Sequence, residues 1–309
     1  MIRGAAIGED ASIIDMGAKV LVAKANPITG AEGNIGRLAV HVNANDVAAR
    51  GAKPLWFMST VLLPEGCTES RLEEIMDEIN RACIELGVQL IGGHTECVAG
   101  LEKPIISGFM MGEAPKNRYV TTGGAKPGDR IILTKTAGLE GTSILASDLE
   151  EKLRRNIDQK TLQRARRMID AISVVSEALM AVETGGVHSM HTPTEGGVLN
   201  GLYEMGAAAR VGLSIEETLI PVAPETNIIC ETLGVEPLKL LSSGSLLMAV
   251  TESSVGKLLE ALEGIGIQAT IIGEVKDRSE GRVITRTDGT QKTIDPVRQD
   301  ELFRVLGED

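Results

Sequence analysis

The sequence predicts a mixed α/β (α+β) protein of two domains. Thirty-five glycines among 309 residues recur between short Val/Ile/Leu runs and stretches of helical period, as they do where strands and helices alternate. A 43% hydrophobic content over this length fills two ordinary cores. The first half then reads β-β-α-β-α-β-β, an open sheet with helices on one face.

Ala11–Ile14 and Lys19–Ala23 form a hairpin across the turn signal Asp15-Met16-Gly17. From Asn34, taken as N-cap, apolar residues Ile35, Leu38, Ala39, Val42 and Ala49 hold helical spacing until Gly51, and the helix carries Asn43, Asn45 and Asp46 near its end. Leu55–Leu63 is a continuous apolar run bounded by Pro54 and Pro64 and reads as a buried strand. Leu72, Ile75, Met76, Ile79, Ala82, Cys83 and Leu86 mark a helix from the Thr68 cap to Gly87. Val88–Ile91 and Ile105–Met111 are strands separated by a Gly92-Gly-His-Thr-Glu96 loop. Pro115–Gly128 has almost no apolar periodicity and connects the domains, placed at 1–120 and 121–309. The second domain takes a strand at Ile131–Thr134, helices over Gly141–Lys152 and Gln159–Val182, and another helix from near Thr194. Leu246–Val250 (strand), Val255–Leu262 (helix) and Ala269–Val275 (strand) close it.

A net charge of −12 argues against nucleic acid, and six aromatic residues are too few for a base-stacking platform. Apolar runs fall short of the roughly 20 residues a membrane helix needs, and nothing at the start resembles a signal peptide, so the cytoplasm is expected. The cysteines, Cys67, Cys83, Cys97 and Cys230, form no C-x-x-C pair and read mostly as buried thiols. There is neither a G-x-x-x-x-G-K-[ST] loop nor a G-x-S-x-G elbow.

What remains is a scatter of oxygen donors at element ends: Glu9-Asp10, Asn26, Asn43, Asp46 and Glu96. Singly each suits a cap or a solvated charge; together they suit a hard cation that completes its shell with water and phosphate oxygens. The pairs Gly92-Gly93 and Gly196-Gly197 permit close backbone approach to phosphate, or simply tight turns. His94, after two glycines, can serve as acid, base or ligand; His41 packs on its helix, His188 is a loop residue, and His191 stays open.

Gly8-Glu-Asp10-Ala-Ser-Ile-Ile, Asn26-Pro-Ile-Thr29, Asn43-Ala-Asn-Asp46-Val-Ala-Ala-Arg-Gly51 and Gly92-Gly-His-Thr-Glu96 resemble, in order and spacing, the N-terminal half of the aminoimidazole ribonucleotide (AIR) synthase superfamily, the PurM-like ATP-binding proteins. His191-Thr-Pro-Thr194-Glu-Gly196-Gly197 is similar to the Asp-Pro-Thr-Arg-Gly-Gly signature of its HypE branch. Ile220-Pro-Val222, Cys230-Glu-Thr-Leu-Gly234 and Ser243-Gly244-Ser-Leu-Leu follow in that order. The resemblance implies N-terminal sheets that pair in a homodimer to form a barrel, a C-terminal α/β sandwich, ATP with Mg²⁺, and a maturation partner protein. It implies phosphorylation of an amide or carbonyl oxygen, which then departs as phosphate.

By matching motifs, Asp10, Asn26 and Asp46 would hold Mg²⁺, while Asn43, Gly92, Gly93, Thr95 and Glu96 would line the nucleotide. Gly138 and Gly141 precede a helix and suit an anion or a plain turn. Thr194, Gly196 and Gly197 would face the substrate, with His94 and Thr194 as catalytic candidates. The chain departs from the pattern at Asn26 and His94, where relatives carry Asp, and at Thr192 and Glu195, which replace the signature Asp and Arg. It also ends at Asp309 without the acceptor cysteine of the HypE tail, so HypE chemistry on its own tail is not expected. Two further readings are a non-catalytic nucleotide-binding scaffold or sensor and a small-molecule kinase similar to thiamine-monophosphate kinase.

Overall fold

The computed structural model describes residues 1–6, 8–29 and 33–307. Two compact units divide them: residues 1–5 and 11–119, and residues 6–10 with 120–307. The pentad Ala6–Asp10 thus belongs to the second unit although its neighbours on both sides belong to the first.

In the first unit β1 (Ser12–Asp15), β2 (Lys19–Ile28), β3 (Lys53–Pro64), β4 (Gln89–Val98) and β5 (Ile105–Pro115) form one sheet in the order β1-β2-β5-β3-β4. Only the β3–β4 pair is parallel, as the crossover through α2 (Glu69–Leu86) requires. α1 (Ile35–Ala48) is buried at every position but Arg37 and packs across β2, β5 and β3 and against α2. Gly36 and Gly108 permit this: a Cβ on Gly108 would lie 2.8 Å from the Phe57 ring and 2.9 Å from the Ala39 carbonyl oxygen. α2 is amphipathic, with Ile75, Ile79, Ala82 and Cys83 inward. Thr68 caps it by accepting the Arg71 N–H, and Gly87 ends it at φ +64°.

The second unit carries β6 (Asp129–Thr134), β7 (Val187–His191), β8 (Gly212–Glu216), β9 (Leu247–Thr251), β10 (Ala269–Lys276), β11 (Arg282–Thr285) and β12 (Gln291–Thr293), ordered β12-β11-β8-β10-β6-β9-β7. Its helices are α3 (Leu139–Asp148), α4 (Glu150–Leu153), α5 (Gln159–Arg167), α6 (Val175–Thr184), α7 (Gly197–Ala209), α8 (Pro224–Leu233), α9 (Glu252–Gly264) and α10 (Glu301–Leu306). Val198, Leu199, Leu202 and Met205 of α7 share a core with Ile131, Leu133, Leu213, Ile215, Leu247 and Ile272, while α9 packs on β6, β9 and β10. Among the described residues no helix is long and apolar enough to cross a membrane.

Four expectations are corrected. Gly92–Glu96 is no loop: β4 runs through it, because Gly93, lacking a Cβ, lets the parallel β3 strand bring its Ser59 carbonyl against the backbone. Asn34 opens α1 at φ 57° without a side-chain capping bond. The run 159–182 is interrupted after Arg167, where the Ala171 and Ser173 carbonyls turn to the Lys135 ammonium (3.0 and 2.5 Å) instead of to helix N–H groups. His188 lies on β7, its Nδ1 2.9 Å from the buried Asp129 carboxylate.

Candidate functional site

In the first unit the predicted residues gather where α1 crosses β2. Asn43 is fully buried. Its Nδ2 donates to the Ala39 carbonyl (2.8 Å) and to that of Asn26 (3.2 Å), and its Oδ1 has no hydrogen-bond partner among the described residues. Asn26 therefore meets Asn43 through its backbone. One turn further on, Asp46 is 3% exposed with the Lys24 ammonium 2.8 Å from its Oδ2. Lys24 was missed by sequence reasoning. Its signal is a cation in register with Val20, Val22 and Asn26 on alternate positions of a strand whose apolar members face inward.

The side-chain oxygens of Asn43 and Asp46 are of the kind that suits a hard cation, whereas the Lys24 ammonium beside Asp46 competes with one. Among the described residues, however, no three or more His, Cys, Asp and Glu gather to hold a metal ion. A cation here must bring most of its ligands with it.

Gly92, Gly93, His94 and Thr95 line a cavity of about 440 Å³ with Ser59, Met76 and Leu90. His94 and Glu96, two apart on β4, share a side of the strand, Nε2 3.1 Å from Oε2, both well exposed.

In the second unit Asp10 meets His191: Oδ1 lies 2.8 Å from Nδ1, while Nε2 is 2.8 Å from the Glu204 carboxylate. Burial alone would lower the imidazole's pKa, but the Asp10 and Glu204 carboxylates outweigh it and push the value up to about 10. The pentad carrying Asp10 is thereby fastened to β7 and α7, and Glu9 accepts the Thr122 N–H at 3.3 Å.

The two glycine turns meet on the segment Leu240–Ser243. The Gly138 N–H donates to Ser242 Oγ (2.7 Å), the Gly141 N–H to the Leu241 carbonyl (2.9 Å) and the Ser242 N–H to the Thr194 carbonyl (3.3 Å). Gly197 also donates to Thr194 (3.0 Å), and a Cβ there would strike the Leu238 and Leu240 carbonyls. Gly196 donates to Asp300 at 2.6 Å. On the first turn of α3 the buried Glu140 is hydrogen-bonded to Ser243. Burial first, and then the charges of Asp300 and Glu195, push its carboxyl up to about 7 against the opposing Ser243 bond. Sequence reasoning passed over Glu140, in the first turn of α3, and Asp300, the N-cap of α10, because carboxylates at those places read as an ordinary dipole partner and an ordinary cap.

Family profiles decide the affiliation: the AIR synthase related protein N-terminal domain matches residues 8–114 and the C-terminal domain residues 126–286. The chain belongs to the AIR synthase related family. Within that family it is 31% identical over 285 residues to the carbamoyl dehydratase HypE of Cupriavidus necator, covering 91% of this chain and 79% of that one. Its structure is similar to HypE solved in complex with ATP (TM-score 0.79, 26% identity, 95% of this chain and 89% of that one). It is equally similar to HypE in a HypE–HypF complex (TM-score 0.79, 26% identity, 94% and 93%). The AIR synthase-like fold and the nearness to hydrogenase maturation proteins of the HypE type are thereby established.

Proposed function

We propose that this family member binds ATP and uses it to activate an amide or carbonyl oxygen of an acceptor, in the manner of a carbamoyl dehydratase. The end-to-end likeness to a HypE that binds ATP carries this reading. Asn43, Asp46 and the Gly92–Glu96 stretch are assigned to the nucleotide. Asp10 and Asp46, with Asn26, are assigned to Mg²⁺ arriving on the phosphates, where it would neutralise charge on the transferring group. Thr194, Gly196 and Gly197 take the acceptor, and His94 and Thr194 stay as catalytic candidates.

The chemistry follows from the leaving group. Transfer of the γ-phosphoryl group to the oxygen of a carbamoyl group forms a P–O bond and breaks the bond to ADP. The C–O bond then breaks with the oxygen leaving in phosphate. Loss of both N–H protons, one to phosphate and one to solvent, completes a nitrile.

The edge strand β4 is exposed from Gln89 to Cys97, and we assign it to pairing with a second copy. A maturation partner of the kind HypF is to HypE would supply the acceptor.

One observation favours the scaffold or sensor reading: both carboxylates assigned to Mg²⁺ already face a cation, Asp46 with Lys24 and Asp10 with His191. Calorimetric ATP titration with and without Mg²⁺, followed by phosphate release with an S-carbamoylcysteine peptide, separates the two. Binding with peptide-dependent release supports the dehydratase, binding without release the scaffold, and no binding removes both.

A further inference from the structure

Asp300 joins three parts of the second unit through one buried carboxylate. Its Oδ2 accepts the Gly196 N–H (2.6 Å), and its Oδ1 accepts those of Leu302 (2.7 Å) and Leu241 (3.3 Å). It is 5% exposed, and no ion pair to a cation offsets its charge among the described residues. Capping the six-residue α10 alone would need no charge, since Ser or Asn serves as well. The carboxylate reaches 104 residues back along the chain to the turn that opens α7.

That turn is one side of a connected lattice. Leu241, held by Asp300, accepts from Gly141, and Ser242 accepts from Gly138 through its hydroxyl while donating to Thr194. The turns opening α3 and α7 are therefore set relative to each other through Leu241 and Ser242, and Asp300 pins Leu241 and Gly196 from the far side. Charge-assisted bonds from backbone N–H groups are the strong class of hydrogen bond.

We propose that Asp300 is a positioning residue: it holds the Thr194–Gly197 turn and the Leu241–Ser242 backbone in the arrangement that receives the acceptor. The proposal rests on the acceptor assignment made above. Asp300 acts through the turn and leaves nucleotide binding alone.

Asp300→Asn tests it, because an amide offers one acceptor oxygen in place of two. Whichever way it turns, an amino group faces the N–H of Gly196 or those of Leu241 and Leu302. With the full-length protein, ATP and an S-carbamoylcysteine peptide, the variant should raise KM for the peptide about tenfold, with kcat within about twofold and calorimetric ATP affinity unchanged. Asp158→Asn is the control, since Asp158 caps α5 by accepting the Thr161 N–H (3.0 Å) away from the turn. It should leave KM unchanged. A D300N enzyme whose KM equals that of D158N overturns the proposal.

Amide hydrogen exchange gives a readout independent of turnover. D300N should lose protection at Gly196 and Leu241 together by at least about tenfold, and unchanged protection overturns the proposal whatever the activity. Should D300N not fold, the wild type decides: under mild denaturant Gly196 should open together with Leu302, and a freely exchanging Gly196 refutes the link. A wild type that neither binds ATP nor acts on the peptide defeats the functional reading, and the exchange result then stands by itself.

Discussion

Lys24 and Asp46 form an ion pair of 2.8 Å in which the carboxylate is 3% exposed and the ammonium 22%. Removing one member of such a pair costs more than the pair itself is worth, because the buried charge that stays behind gives up a close counter-charge. Lys24→Met is expected to destabilise the protein by about 3 kcal/mol in urea unfolding, and Lys24→Met with Asp46→Asn by clearly less. Asp46→Asn alone should keep the fold and lose Mg²⁺-dependent ATP affinity. An unchanged affinity removes Asp46 from the site.

Glu140 supplies a pH test. Its carboxyl titrates near 7 in the folded protein against an ordinary 4.5, so between these values the folded state holds a proton that the unfolded chain has released. Stability should therefore fall as pH rises from about 4.5 to 7 and level off above, by roughly 3 kcal/mol at 1.36 kcal/mol per pH unit. Glu140→Gln should flatten that part of the profile and unfold at higher urea than the wild type at pH 8.

Gly108 is the position at which α1 comes down onto β5, and a methyl group there meets the Asn43 amide, the Phe57 ring and the Ala39 carbonyl. Gly108→Ala should cost about 2–3 kcal/mol by thermal unfolding and weaken ATP binding by shifting Asn43. Equal stability would mean that the helix can lift without penalty.

The thiols divide into two classes. Burial pushes Cys83 up to about 11 and Cys230 up to about 12, the latter with help from the Glu301 charge, while Cys97 is exposed and Cys67 half-buried. At pH 8 a thiol reagent should modify Cys67 in the native protein and Cys83 and Cys230 only after denaturation, while Cys97, on the strand assigned to a second copy, should react only when the copies are apart. Mass spectrometry of the modified peptides reads this directly.

The contrast between α2 and β4 explains what could be read from the sequence. α2 carries its whole description locally, in the Thr68 cap, the apolar stripe and Gly87, and the helix lies where those signals place it. β4 does not, because Gly-Gly is turn chemistry until a neighbouring strand makes the missing Cβ an advantage. That neighbour, Ser59, lies 34 residues upstream.

The strands β8, β11 and β12 are three to five residues long and too short to show a period of two. The same distinction governs the site. Asn43 and Asp46 stand out because, with Asn45, they cluster near the end of a helix whose inward positions are mostly apolar, whereas Lys24, Glu140 and Asp300 acquire meaning only from partners distant in the chain.

The pentad Ala6–Asp10 has a consequence for anyone dissecting or recombining this chain. A single cut near residue 120 gives a C-terminal fragment without Asp10, so His191 keeps only Glu204 of its two carboxylates and Thr122 loses Glu9. Exchanging C-terminal halves between relatives meets the same obstacle, since the recipient's first ten residues must match the donor's β7 and α7. In this architecture the second half is inherited in two pieces, and a chimaera that swaps only the larger one starts out mismatched.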